Sequence, residues 1–145
     1  MDTSTVLDVV SFEVEAGKIR EFARATHTAD PVHTDPAAAT AAGLPAVPAT
    51  ATHVVVAGHH RDQQRFVRDL GLAIERVVVG SVEWEYHRPL LAGDSLTGTR
   101  RVVSDTVKEG RRGGSMRLVT LETSWADATG ETAVVQREVL IERGR

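Results

Sequence analysis

The 145 residues carry 17 basic and 20 acidic side chains, a formal charge of -3, with 41% hydrophobic and 26% charged residues. This is the composition of one globular domain over residues 1-145, without the basic excess of a protein that binds nucleic acid by bulk electrostatics. There is no cysteine, which excludes thiol catalysis, disulfides and cysteine-ligated metal centres. No apolar run reaches the roughly 18 residues of a membrane span. No basic-then-apolar leader opens the chain, so the expectation is a soluble cytoplasmic protein.

In chain order, Val6 to Val14 is apolar enough for a short strand. Ala16 to Thr26 places Ile19, Phe22 and Ala23 at i, i+3 and i+4, the spacing of an amphipathic helix. Thr26 to Thr34 reads as a loop broken by Pro31. Asp35-Pro36 is an N-cap followed by proline at the first helical position, and Gly43 is a stop, which predicts a helix over residues 36 to 42. A longer helix is predicted from Pro48 to Thr50 through Leu70, ended by Gly71. Its valine run, Val54 to Val56, is poor helix material.

From Ile74 the period changes to two, with Val82, Trp84 and Tyr86 alternating against Glu83, Glu85 and His87. Leu96 to Val103 follows an Ala92-Gly93-Asp94 turn. After the glycine-rich stretch Lys108 to Gly114, Arg117 to Trp125 and Thr132 to Ile141 are two further strands, joined by an Asp127 to Gly130 turn. Helices first and antiparallel strands after make an α+β pattern.

Three stretches resemble the MaoC-like hotdog-fold hydratases and dehydratases, most of all their fungal-type fatty-acid-synthase dehydratase branch and the subunits of heterodimeric (3R)-hydroxyacyl-thioester dehydratases. They are the Phe22 to His33 segment, with Asp30-Pro31-Val32-His33 at its end; Gly43 to Thr50; and Trp84 to Leu96, with its Gly93-Asp94 turn. The resemblance implies a hotdog fold, a long central helix wrapped by a curved antiparallel sheet, with two such units paired as a homodimer or a heterodimer. It also implies a tunnel for an acyl thioester carried on coenzyme A or an acyl carrier protein, with no cofactor of its own.

In that family a loop aspartate and histidine share the proton transfers of hydration. His33 falls on the histidine position and is the expected acid and base. The aspartate position holds Thr28, and the position normally held by asparagine holds Asp30. Either Asp30 supplies a displaced carboxylate to His33, or the standard hydration chemistry is lost and Asp30 is a turn-former before proline. Thr28 cannot act as a base near neutral pH, but its hydroxyl can hold water or a substrate oxygen. Ala49, Thr50 and Ala51 would open the central helix, where free N–H groups suit an enolate oxygen.

The remaining chemistry-bearing residues read more plainly. His27, next to Thr28, reads as a polar residue at a helix C-terminus, with a substitute proton shuttle as the alternative. His53, His59 and His60 lack the i, i+4 spacing and third ligand of a metal site and read as rim or interface residues. Arg61, Arg65 and Arg68 form a solvated row, or a phosphate grip with Arg111 and Arg112. Phe66, Trp84, Tyr86 and Trp125 read as core or tunnel wall, with no stacking platform for nucleic acid. Three functions stay open: a hydratase or dehydratase, an accessory subunit, and a repurposed isomerase or cyclase pocket of natural-product assembly.

Overall fold

In the computed structural model, which describes residues 3–144, strand β1 (Val6–Glu13) leads into helix α1 (Ala16–Ala25). Ile19 and Ala23 of α1 are buried, as the i, i+4 pattern predicts. The helix ends in a double backbone lock, Thr28 N to Ala23 O at 2.8 Å and His27 N to Arg24 O at 3.2 Å. That lock needs a left-handed residue between the two bonds, and His27 supplies it with φ 57°. A 3₁₀ turn (Pro31–His33) follows, then α2 (Pro36–Ala41). The Asp35 carboxylate caps α2 by accepting from Ala37 N at 2.9 Å, and Gly43 stops it at φ 81°.

The long helix predicted over residues 50 to 70 is two short pieces. A 3₁₀ run spans His53–His60, and α3 spans Gln63–Asp69. Between them Arg61 is extended, at φ -106° and ψ 144°. The cause is local. Three successive β-branched valines and Gly58 weaken an α-helix. Asp62 meanwhile finds a better place as N-cap, its carboxylate accepting from Arg65 N at 2.9 Å.

The period-two segments form one antiparallel sheet in the order β1-β3-β4-β5-β2. Its later strands are β2 (Val77–Tyr86), β3 (Ser95–Glu109), β4 (Ser115–Ala126) and β5 (Thr132–Arg143). Ile74–Arg76 is a 3₁₀ turn, so β2 begins three residues later than the sequence pattern does. Register shifts at Val79/Ser81, Val102/Ser104 and Trp125/Ala126 mark bulges, which bend a sheet and increase its twist.

The helical pieces pack on the sheet through two cores. One gathers Phe12, Ile19, Val54, Leu96 and Trp125; the other gathers Phe66, Leu70, Val102, Val119 and Leu140. At Gly98 a Cβ would lie 2.4 Å from Trp125 Cζ3, so only glycine lets the indole lie flat on β3. A curved antiparallel sheet around a central helical segment is the hotdog arrangement.

Between the two cores stands a charged group. Asp8 on β1 faces its register partner Arg100 on β3. Arg100 Nε bonds the Asp8 carboxylate at 3.2 Å, its Nη2 bonds the other Asp8 oxygen, and its Nη1 reaches Glu138 at 3.4 Å. Arg61, placed by the break in the central segment, also bonds Asp8. Its side chain is 6% exposed, so Arg61 leaves the solvated row expected for it, while Arg65 and Arg68 stay in solvent.

Candidate active site

His33 closes the Pro31–His33 turn, half-buried, with Nδ1 2.8 Å from the Pro48 carbonyl oxygen. A carbonyl only accepts, so Nδ1 carries the proton and the neutral ring presents Nε2 as a free acceptor. The carbonyl is itself fixed. Pro48 bridges Leu91, with Ala49 N bonding Leu90 O and Ala92 N bonding Val47 O, each at 2.8 Å. The Gly93-Asp94 turn braces that bridge. Asp94 accepts from Leu91 N at 2.8 Å and from Arg88 Nη1 at 2.7 Å, and Arg88 also reaches Asp127 at 3.2 Å. Hydrogen bonds led by the Thr129 hydroxyl hold the Asp127 carboxyl down at about 2. Sequence reading found the turn but not the brace, because Arg88 and Asp127 stand 39 residues apart.

Asp30 does not pair with His33. Its carboxylate accepts from Val32 N at 3.0 Å, and its carbonyl accepts from His33 N at 3.3 Å, so it caps the turn that carries the histidine. Proline after aspartate favours that Asx geometry over a reach toward the imidazole. Thr28 is half-buried, its hydroxyl 3.1 Å from that of Thr26.

The opening of the central segment is more unusual. Ala49 spends its N–H on Leu90, whereas the N–H groups of Thr50 and Ala51 have no protein acceptor among the described residues. The Ala51 carbonyl accepts from the Tyr86 hydroxyl. Ala49, Ala51, Tyr86 and Leu90 line a cavity of about 400 Å³. The hydroxyl of Thr50, between Ala49 and Ala51 in the chain, is buried without a hydrogen-bond partner among the described residues.

His53, expected at the rim or an interface, is fully buried at 0% exposure, and neither ring nitrogen has a hydrogen-bond partner among the described residues. It lies 5.9 Å from the Phe12 ring and edge-on to Phe22 at 5.5 Å. Burial first, and the Lys18 charge second, push its pKa below the ordinary 6.5. Below pH 6.5 the unfolded chain therefore takes up a proton that the folded chain refuses. Stability is full above that pH and declines as pH falls toward the lower folded value. Thermal scans from pH 7.5 down to pH 5.5 (~ one unit either side of the free imidazole) are expected to give a falling Tm, and a flatter curve for His53→Leu. Parallel curves for the two proteins would contradict it.

The chain matches the family described as FAS1-like, dehydratase domain region, over residues 2–136. It is similar to a UPF0336 protein of Clavibacter michiganensis subsp. michiganensis, 40% identical over 128 residues, 88% of this chain and 83% of that one. A UPF0336 protein of Saccharopolyspora erythraea is 38% identical over 136 residues, 92% of this chain and 83% of that one. Among solved structures, the HadBC (3R-hydroxyacyl-ACP dehydratase) complex of Mycobacterium tuberculosis superposes with a TM-score of 0.72 at 25% identity, covering 90% of each chain. A MaoC-like dehydratase of Rhodospirillum rubrum shares the fold, with a TM-score of 0.70 at 20% identity over 100% of this chain and 94% of that one. The chain belongs to the FAS1-like dehydratase-region family, on a hotdog fold shared with MaoC-like hydratases and dehydratases.

Proposed function

We propose that the protein hydrates, or in reverse dehydrates, an acyl thioester carried on coenzyme A or an acyl carrier protein, with His33 as its one proton-transfer group. The observation that carries this reading is the His33–Pro48 bond, which commits Nδ1 and frees Nε2. In the hydration direction, Nε2 takes a proton from water as the hydroxide adds to the β carbon. The pair of electrons moves onto the thioester oxygen, where the free N–H groups of Thr50 and Ala51 stabilise the enolate. The imidazolium then returns its proton to the α carbon. Asp30 is a positioning residue in this scheme, and Thr28 holds the water.

The test is loss of enoyl absorbance when the purified protein meets trans-2-octenoyl-coenzyme A. Asp30→Asn keeps a capping oxygen and is expected to stay within about threefold of wild type, since the exchange of Asp for Asn at a cap costs little. Thr28→Asp restores a carboxylate at the position where the family resemblance expects one and is expected to raise the rate. A loss in Asp30→Asn as large as that from removing an acid–base group would return the carboxylate to the chemistry.

The accessory-subunit reading has one observation in its favour: the loop carboxylate is spent on a cap. It predicts no turnover by this chain alone.

Pairing with a second hotdog unit is part of the same proposal. Strand β2 is an open edge, with Val78, Val79 and Val82 exposed beside exposed Val55. A long apolar edge invites strand pairing. Light scattering at micromolar concentration is expected to give twice the 15.6 kDa chain mass, and Val79→Lys to shift it toward the monomer. A monomer mass for the unaltered chain would contradict the pairing.

A further inference from the structure

A second cavity, of about 320 Å³, lies between the central segment and the sheet. Val54, Phe66, Val82 and Trp125 supply apolar wall, and Arg61 and Gln136 are among its polar residues, with Arg100 and Glu138. Arg61 is 6% exposed, and Asp8 is its one hydrogen-bond acceptor among the described residues. Its guanidinium stands 5.5 Å from the centre of the Trp125 ring. Arg100, by contrast, is bonded at Nε, Nη1 and Nη2. The Trp125 indole N–H donates to Gln136 Oε1 at 3.3 Å. An indole nitrogen only donates, so the Gln136 amide keeps both its N–H groups for another acceptor.

The charges decide what that acceptor is. Two arginines, Arg61 and Arg100, stand against two carboxylates, Asp8 and Glu138, so the group is neutral overall. Glu138 also lines the cavity, which disfavours a carboxylate guest. Donors without acceptors, apolar walls and no net charge call for a neutral oxygen on an otherwise apolar ligand. The place fits an acyl chain. The 3₁₀ run His53–His60, about 16 Å long at roughly 2 Å per residue, lies between Thr50 and Ala51 at one end and Arg61 at the other. Strand β2 runs beside it, with Tyr86 at the Ala51 end and Val82 at the cavity.

We propose that this cavity receives the distal end of the acyl chain, and that Arg61 and Gln136 select a hydroxyl or keto oxygen there over plain alkyl. The proposal rests on the acyl-thioester reading above. A plain chain covers these donors without satisfying them, which costs on the order of tenfold in affinity.

Trp125 forms the wall, so its fluorescence reports occupancy. The chain, in the oligomer it forms, is titrated with dodecanoyl-coenzyme A, omega-hydroxydodecanoyl-coenzyme A and the omega-carboxy analogue. The hydroxylated thioester is expected to bind about tenfold tighter than the alkyl one, with the carboxylate weakest. Arg61→Met removes most of that preference and leaves Asp8 with Arg100. Gln136→Leu tests the same preference without touching the charged group, should Arg61→Met fail to fold. Equal affinity for alkyl and hydroxyl probes overturns the selectivity while leaving the acyl-thioester reading intact. Tightest binding of the carboxylate, or a preference that survives in the folded variants, also overturns it. Failure of all three thioesters to bind overturns both readings together.

Discussion

His33→Ala is expected to lower the rate of enoyl-thioester hydration by about 10²–10⁴-fold, the usual cost of removing a positioned acid–base group. The size follows from the lack of a substitute. Asp30 is bound to Val32 N, and Thr28 does not titrate near neutral pH. His27 is exposed, and its backbone is held left-handed at φ 57° at the α1 terminus. The fold should survive, because His33 is half-buried and makes one side-chain bond, to the Pro48 carbonyl. His33→Gln sharpens the experiment. An amide can keep the bond to Pro48 yet cannot carry a proton between carbons and water, so it should be as inactive as alanine. Recovery of activity in His33→Gln would reduce His33 to a structural tie.

Arg100→Met is expected to destabilise the protein by about 3–5 kcal/mol, the range for removing one partner of a buried ion pair. Arg100 is 3% exposed and bonds both Asp8 and Glu138. Its guanidinium also lies 3.9 Å from the centre of the Phe66 ring, so methionine loses a packed cation as well as two partners. Asp8 keeps Arg61, but Glu138 is left without its cation. Urea unfolding followed by Trp fluorescence measures the change. A loss below about 1 kcal/mol, the value of an exposed pair, would mean that solvent reaches this group freely.

The fold was legible in the sequence wherever its causes are local. Asp35-Pro36 and Gly43 delimit α2 because caps and left-handed stops act within a few residues. The alternation of Val82, Trp84 and Tyr86 marks one face of β2, and the Gly93-Asp94 turn stands where the motif put it. The central segment misled for a physical reason. Arg61, Arg65 and Arg68 share a face only if one helix runs through all three, and the extended residue at 61 breaks that phase. Arg61 therefore turns inward, to meet a carboxylate 53 residues away.

The candidate site was half legible. The motif singles out His33 as the candidate, but its carbonyl partner comes from a bridge between Pro48 and Leu91 that no short pattern encodes. Asp30 was read both as a carboxylate for His33 and as a turn-former, and its bond to Val32 N is the second use. His53 was read as a rim or interface residue because its spacing suits no metal site; instead Phe12 of β1 and Phe22 of α1 pack against it in the core.

The most direct test of the account is hydration of trans-2-octenoyl-coenzyme A in heavy water, followed by mass spectrometry and proton NMR of the product. Wild-type protein should yield a 3-hydroxyacyl thioester carrying one deuterium at the α carbon, delivered from the His33 imidazolium. His33→Ala should yield none above the uncatalysed background. No product from the wild type, or equal deuterated product from His33→Ala, would contradict the central claim that His33 moves the proton.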